Sequence, residues 1–294
     1  MTTYEARVIR EGLSFGEAPR WHDERLWYSD FYRHGVFSID PVGQSERREI
    51  TLSTQPSGLG WMPDGSLLVV SMTDQRVLRY VDDTATLHAD ISPYCGFWAN
   101  DMVVSATGVA YVGNFGFDLD VMLRDHGVEG LLNNPPPTTN LVVVGPSGDI
   151  CQVVDDMAFP NGAVITPDGA TLIVAETLRY RLSAFDVAPD GTLSNRRVFA
   201  QLEFVPADGI CLDAEGQIWV AHPQANEVIR VAEGGEVTSR ASTSANTFAC
   251  MLGGSQRRTL FIMTSPTSDR FSLAGTTPAK IEAVEVDVPG AGLP

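Results

Sequence analysis

One phrase recurs six times along this 294-residue chain, and its period restricts the fold more than any other feature. The copies are GEAPRWHDERLWYSD (16–30), PSGLGWMPDGSLLVVS (56–71), NDMVVSATGVAYVGN (100–114), PNGAVITPDGATLIVAET (160–177), ADGICLDAEGQIWVAHP (207–223) and FACMLGGSQRRTLFIMT (248–264). Each is a short apolar segment, a tight turn and a strongly β-prone run. The second runs open at Leu26, Leu67, Val109, Leu172, Ile218 and Leu260, at intervals of 41, 42, 63, 46 and 42. Repeats of roughly 40–45 residues that carry about four short strands are propeller blades. A sandwich would have to produce six in-register copies by chance.

The local chemistry agrees with hairpins. Asp64-Gly65, Asp168-Gly169 and Glu215-Gly216 supply turn residues that tolerate positive φ. The runs LWYS, LLVVS, VAYVG, LIVAE, IWVAH and LFIM are too short, and too rich in β-branched and aromatic residues, for helices. Third strands follow at 36–40, 77–81, 182–187 and 228–232. A strand near Ala6–Ile9 and one at Lys280–Val286 are expected to share a blade and close the ring, which hides sheet edges. The expected fold is therefore all-β, a single six-bladed β-propeller domain over residues 1–294.

The 63-residue interval holds an insertion in the third blade, about 115–141 (FGFDLDVMLRDHGVEGLLNNPPPTTNL). In a blade, the start of the first strand and the end of the second lie on one face of the disc. The insertion follows a second strand, so it is expected on that face, as a lid over a pocket.

The first strands open with Glu17, Ser57, Asn100, Asn161, Asp208 and Phe248. In a propeller these points converge on the central axis. Two carboxylates and two carboxamides at equivalent positions are hard oxygen donors suited to one divalent cation, with water completing the shell. Calcium is the expected ion, with Zn2+, Mg2+ and Mn2+ as alternatives, although no His or Cys aligns at these positions. Singly, each residue reads as a turn or surface residue; their shared place in the repeat makes them a set.

The segments Gly16-Glu17-Ala18-Pro19-Arg20-Trp21, Asn100-Asp101, Pro160-Asn161-Gly162 and Asp208-Gly209 resemble the SMP-30/gluconolactonase (regucalcin-like) family, over about residues 14–287. The resemblance implies a six-bladed propeller with a central divalent cation and lactone hydrolysis. It implies that Glu17, Asn161 and Asp208 are metal ligands, that Asn100 touches metal or substrate, and that Asp208 is also the general base. Sugar-lactonase members often carry Arg two residues before the Asn matching Asn100, where this chain has Trp98. With Tyr94, Phe115, Phe117 and Phe159 expected nearby, the small-molecule substrate should be less polar than a sugar lactone. Trp98, Asn100, Phe115, Phe117 and His222 are the candidate substrate contacts, His222 as a possible acid or base. Asp30, Asn114 and Glu176 end second strands on the same face.

The expected chemistry is metal-assisted hydrolysis of a lactone or related ester, with Asp208 taking a proton from water. The alternatives are a metal-dependent isomerase, cyclase or lyase on the same site, or a non-catalytic calcium-binding propeller. A GxSxG elbow before a helix is missing, as is a phosphate-binding glycine pattern between strand and helix. A net charge of −17 excludes nucleic acid and disfavours anionic membrane surfaces as partners. No run approaches the ~18 apolar residues of a membrane helix, and the N-terminus lacks a secretory pattern, so a cytoplasmic location is expected. Cys95, Cys151, Cys211 and Cys250 form no CxxC pair and are expected as free thiols. The sequence leaves the oligomeric state open.

Overall fold

The alternation of apolar and polar residues in the repeats becomes six sheets, four of them built from four antiparallel strands taken in chain order and two completed by N-terminal strands. The computed structural model describes residues 1–82 and 84–294, the side chains of 128, 129 and 132 excepted. The innermost strands are Gly16–His22, Pro56–Trp61, Ala99–Val104, Pro160–Ile165, Ile210–Leu212 and Asn246–Gly253. Each contacts the innermost strand of the next blade, and the last returns to the first, so the ring is closed. Burial follows the layers. Ala99–Val104 and Pro160–Ile165 are buried throughout, whereas the outermost strand of blade 2, Thr84–Asp90, is mostly exposed. The apolar core therefore lies between blades, in clusters shared by neighbouring sheets.

Closure follows the expected route. Arg7–Leu13 pairs antiparallel with Ala279–Glu285 as the outer strand of blade 6. The sequence reading missed one strand: Thr2–Glu5 adds in parallel to Val237–Ser242, giving blade 5 a fifth strand.

A bulge sits at the same place in the innermost hairpin of five blades. Register slips between Glu17 and Arg20, Pro56 and Leu59, Ala99 and Met102, Pro160 and Ala163, and Thr247 and Ala249. Bulges re-aim side chains and recur beside functional sites. Here they fall on the residues that the repeat aligns, turning them out of the pleat at the strand openings. The residue after the bulged position is often glycine because adjacent blades nearly touch there. A Cβ on Gly58 would lie 2.3 Å from the Met102 nitrogen, and one on Gly162 2.6 Å from the Ile210 nitrogen.

The insertion, expected as a lid over the pocket, is not all loop. It carries a helix, α1 (Leu119–Asn133), capped by the Asp118 side chain on the Val121 N–H and broken at Gly127, where φ is 65°. A second, four-residue helix, α2 (Arg270–Leu273), stands between the last two strands of blade 6. Among the described residues, no helix is long and apolar enough to cross a membrane.

Candidate axial site

Glu17, Asn100, Asn161 and Asp208 all line one cavity of about 430 Å3. Asn100, Asn161 and Asp208 are buried and Glu17 is half-buried. Asn100 Nδ2 donates to Asn161 Oδ1 at 3.2 Å, and Ser57 Oγ donates to Asn100 Oδ1 at 3.5 Å. Asn161 Nδ2 in turn donates to Thr177 Oγ1 at 3.3 Å, and that hydroxyl donates to the Ala207 carbonyl at 2.7 Å. The two amides are thus tied to each other and to the turn that delivers Asp208.

A charged pair lies beside this group. Arg20 Nη2 donates to Asp101 Oδ1 at 2.7 Å and to the Met102 carbonyl at 2.6 Å, while its Nε reaches the Leu59 carbonyl at 2.9 Å. One buried guanidinium therefore joins blades 1, 2 and 3. The sequence reading did not single out Asp101 because its neighbour Asn100 already occupied the aligned position.

Burial, then repulsion from Asp208 and Asp101, holds the Glu17 carboxyl well above the usual carboxylate range. Burial, then Asp101, does the same for Asp208. Glu17 and Asp208 are thus two acids held high by burial and by negative neighbours, and an added cation would relieve the repulsion. Among the described residues, no three His, Cys, Asp or Glu side chains stand close enough to hold an ion without amide help. A cation at the axis would accordingly draw on Glu17 and Asp208 together with the carboxamides of Asn161 and Asn100. That all-oxygen set fits a hard ion such as Ca2+, Mg2+ or Mn2+ better than zinc.

The rest of the cavity is apolar and aromatic. Phe15, Phe31, Trp98, Phe115, Phe159 and Phe248 line it, and α1 contributes Leu119 and Leu123. Phe15 packs edge-on to Phe248 at 4.9 Å, and Phe115 lies 4.7 Å from Phe159. Trp98 and Phe115 therefore stand where the sequence placed them. Leu131, Pro135 and Pro136 show that both ends of the insertion reach the cavity.

Phe117, His222 and Tyr94 do not line it. Phe117 stands behind the wall, edge-on to Phe159 at 6.1 Å. His222 lies just past its strand, where the pleat no longer fixes side-chain direction. Its Nδ1 accepts from the Gln224 N–H at 3.4 Å, and the neighbours Pro223 and Gln224 reach the cavity instead. Tyr94 packs against the core shared by blades 2 and 3.

The other second-strand ends lie off the cavity wall and hold loops. Asp30, Asn114 and Glu176 are each 0% exposed. Asp30 accepts from the Ser14 and Phe15 N–H groups, which fixes the chain entering Glu17. Asn114 accepts from Thr139 Oγ1 and donates to the Asn140 carbonyl, clamping the C-terminal end of the insertion. Glu176 gathers Arg179, Arg181 and Arg196. These groups hold the loops that carry the site.

Residues 15–266 match the family model described as SMP-30/Gluconolactonase/LRE-like region. Regucalcin of Xenopus laevis is 24% identical over 268 residues, covering 87% of this chain and 84% of its own. The solved structure of a calcium-binding protein, regucalcin, from Agrobacterium tumefaciens superposes with a TM-score of 0.79 at 20% identity, covering 100% of this chain and 98% of its own. A gluconolactonase from Xanthomonas campestris gives a TM-score of 0.69 at 20% identity, with 98% and 90% covered. The matched region takes in all four axial residues and most of the chain, and this protein belongs to the SMP-30/gluconolactonase/LRE-like family.

Proposed function

We propose that the chain is a divalent-metal-dependent hydrolase of small lactones or related esters with an apolar body. The observation that carries this reading is the meeting of two carboxylates and two carboxamides on the wall of one aromatic cavity. Family membership supports it, because the relatives include a protein described as a gluconolactonase and one described as calcium-binding.

Glu17, Asn161, Asp208 and Asn100 are the residues that would hold the cation, calcium being the expected one. When bound, the cation supplies a positive charge that polarises the substrate carbonyl and stabilises the oxyanion developing there. Asp208 takes the proton from the attacking water as the new C–O bond forms. The ester C–O bond then breaks, and the leaving alkoxide recovers a proton to give an alcohol and a carboxylic acid. Asn100 Nδ2 donates one hydrogen to Asn161 Oδ1 at 3.2 Å, and its second would donate to the carbonyl oxygen. The aromatic wall excludes bulk water and orients the apolar part of the substrate.

A panel of alkyl lactones, aryl esters, a sugar lactone and a phosphotriester tests this reading. Alkyl lactones or aryl esters should be cleaved fastest and the sugar lactone at least about tenfold more slowly, since each buried CH2 adds about 0.8 kcal/mol of apolar contact. Chelator should abolish the activity and added calcium should restore it. A chain that cleaves none of the panel, or prefers the sugar lactone, would overturn the assignment.

A further inference from the structure

The first half of α1 walls the cavity without a buried face of its own to anchor it. Leu119 and Leu123 line the cavity, yet none of residues 119–126 is buried. The helix breaks at Gly127, which makes this half a separate short rod. Polar ties hold it to blade 6 through α2. Arg270 Nη2 donates to Asp118 Oδ2 at 2.8 Å, and Nη1 faces Asp120 Oδ2 at 3.6 Å as an ion pair. Asp118 serves twice, because its Oδ1 accepts from the Val121 N–H and caps α1. The Phe271 ring takes a guanidinium contact from Arg124 of α1 at 5.1 Å and another from Arg270 at 4.8 Å.

The anchor itself is firm. Leu273 of α2 is 0% exposed, in a cluster with Phe15, Phe31 and Phe248, which line the cavity. Arg270 also lies over the Trp98 ring, 5.0 Å from its centroid, so one guanidinium joins α1, α2 and the Trp98 wall. Leu119 and Leu123 offer apolar contact only while the rod is held. We infer that Arg270 is a positioning residue that fixes the first half of α1 against the apolar tail of the substrate, so that the preferred lactones or esters carry an alkyl chain whose length is read by Leu119 and Leu123. This inference rests on the hydrolase reading for its substrate class and not for the placement of α1.

The test combines hydrogen exchange with a chain-length series on the calcium-loaded full chain at about pH 8, where Asp120, raised to about 6 by burial, is ionised. Ethyl-, butyl- and hexyl-substituted δ-lactones are followed by kcat and KM. The matching lactams, which resist hydrolysis, are followed by calorimetric binding. Wild type should gain up to about fourfold in kcat/KM and in lactam affinity per CH2 covered by α1, and Arg270→Gln about twofold or less, through KM with kcat held. Backbone exchange over 119–126 should rise about tenfold in Arg270→Gln, the scale of a lost hydrogen bond between charged groups. Arg270→Lys keeps the charge without the planar fork and should fall between. Asp118→Asn keeps a helix cap and loses the ion pair. It should shift the series in the same direction and add less than about twofold to Arg270→Gln in the double variant. The expected lactam series and exchange with no lactone turnover would remove the hydrolase reading and leave the positioning role standing. Lactone turnover with the gain per CH2 unchanged in Arg270→Gln and in Asp118→Asn would do the reverse. Unchanged exchange over 119–126, an equal loss at all three chain lengths, or no lactam binding would overturn the inference.

Discussion

Asp208→Asn should reduce lactone or ester turnover by about a thousandfold while leaving the fold intact. Asn has the shape of Asp but accepts no proton at neutral pH, and general-base assistance contributes about 10²- to 10⁴-fold. The substitution also removes one of the two axial carboxylates, so cation affinity should fall. Comparing kcat at saturating calcium separates the two effects: a loss of proton transfer persists there, and a loss of affinity alone does not. The fold should survive because the backbone at this point is fixed independently of the carboxylate. Gly209 N–H donates to the Phe248 carbonyl at 2.8 Å, and the Ala221 N–H donates to the Gly209 carbonyl at 3.0 Å. Wild-type kcat in this variant would remove Asp208 from the chemistry.

Glu176→Ala should be the most damaging single change to stability among the polar residues discussed. The carboxylate is 0% exposed. Its Oε1 accepts from Ser183 Oγ at 2.5 Å and from Arg181 and Arg196 at 2.8 Å each, and its Oε2 accepts from the Ala158 N–H and Arg179 at 3.0 Å each. Removing it leaves three guanidinium groups facing one another and a buried N–H unmatched. Breaking a buried ion pair from one side costs about 3–5 kcal/mol, which at this chain length corresponds to a Tm lower by about 5–8 °C. Activity should fall as well, because the adjacent Thr177 supports Asn161.

The pH dependence of that difference has a definite sign. Burial alone would raise the Glu176 pKa, but hydrogen bonds from Ser183, the Ala158 N–H, Arg196 and Arg181 outweigh it and hold the carboxyl at about 2, below the ordinary 4.5. A group depressed in the folded state stabilises fully above its unfolded pKa and loses that contribution as pH falls through its folded one. The gap in Tm between wild type and Glu176→Ala should therefore stay constant from pH 7 to about 5 and close toward pH 2. A gap that widened on acidification would contradict this account of the cluster.

The blades were legible because each hairpin carries its own local instructions, a turn pair such as Asp168-Gly169 between two β-prone runs. The axial residues were legible for a related reason. Glu17, Asn100, Asn161 and Asp208 occupy one point of a repeat, and a closed ring brings equivalent points together whatever their distance along the chain. Legibility ended where repeat position no longer determines side-chain direction. Asp30, Asn114 and Glu176 lie on the anticipated face, yet they turn into the loops because their partners wait there, and periodicity identifies a face without naming a partner. His222 and Phe117 lie outside regular strands, beyond the reach of the alternation rule. The helix in the insertion was obscured by Gly127 and by the Asn and Pro residues that follow it. Arg270 and Asp118 meet across 152 residues, in segments that belong to no repeat.

The central claim is that hydrolysis requires one cation held by the axial oxygens. Its most direct test is to strip the protein with chelator, remove the chelator, and titrate calcium while following cleavage of the best lactone or ester. The stripped protein should be inactive, and activity should then rise saturably, complete at one bound equivalent per chain. Full activity in the stripped protein, or a rise unrelated to a stoichiometric ion, would contradict it.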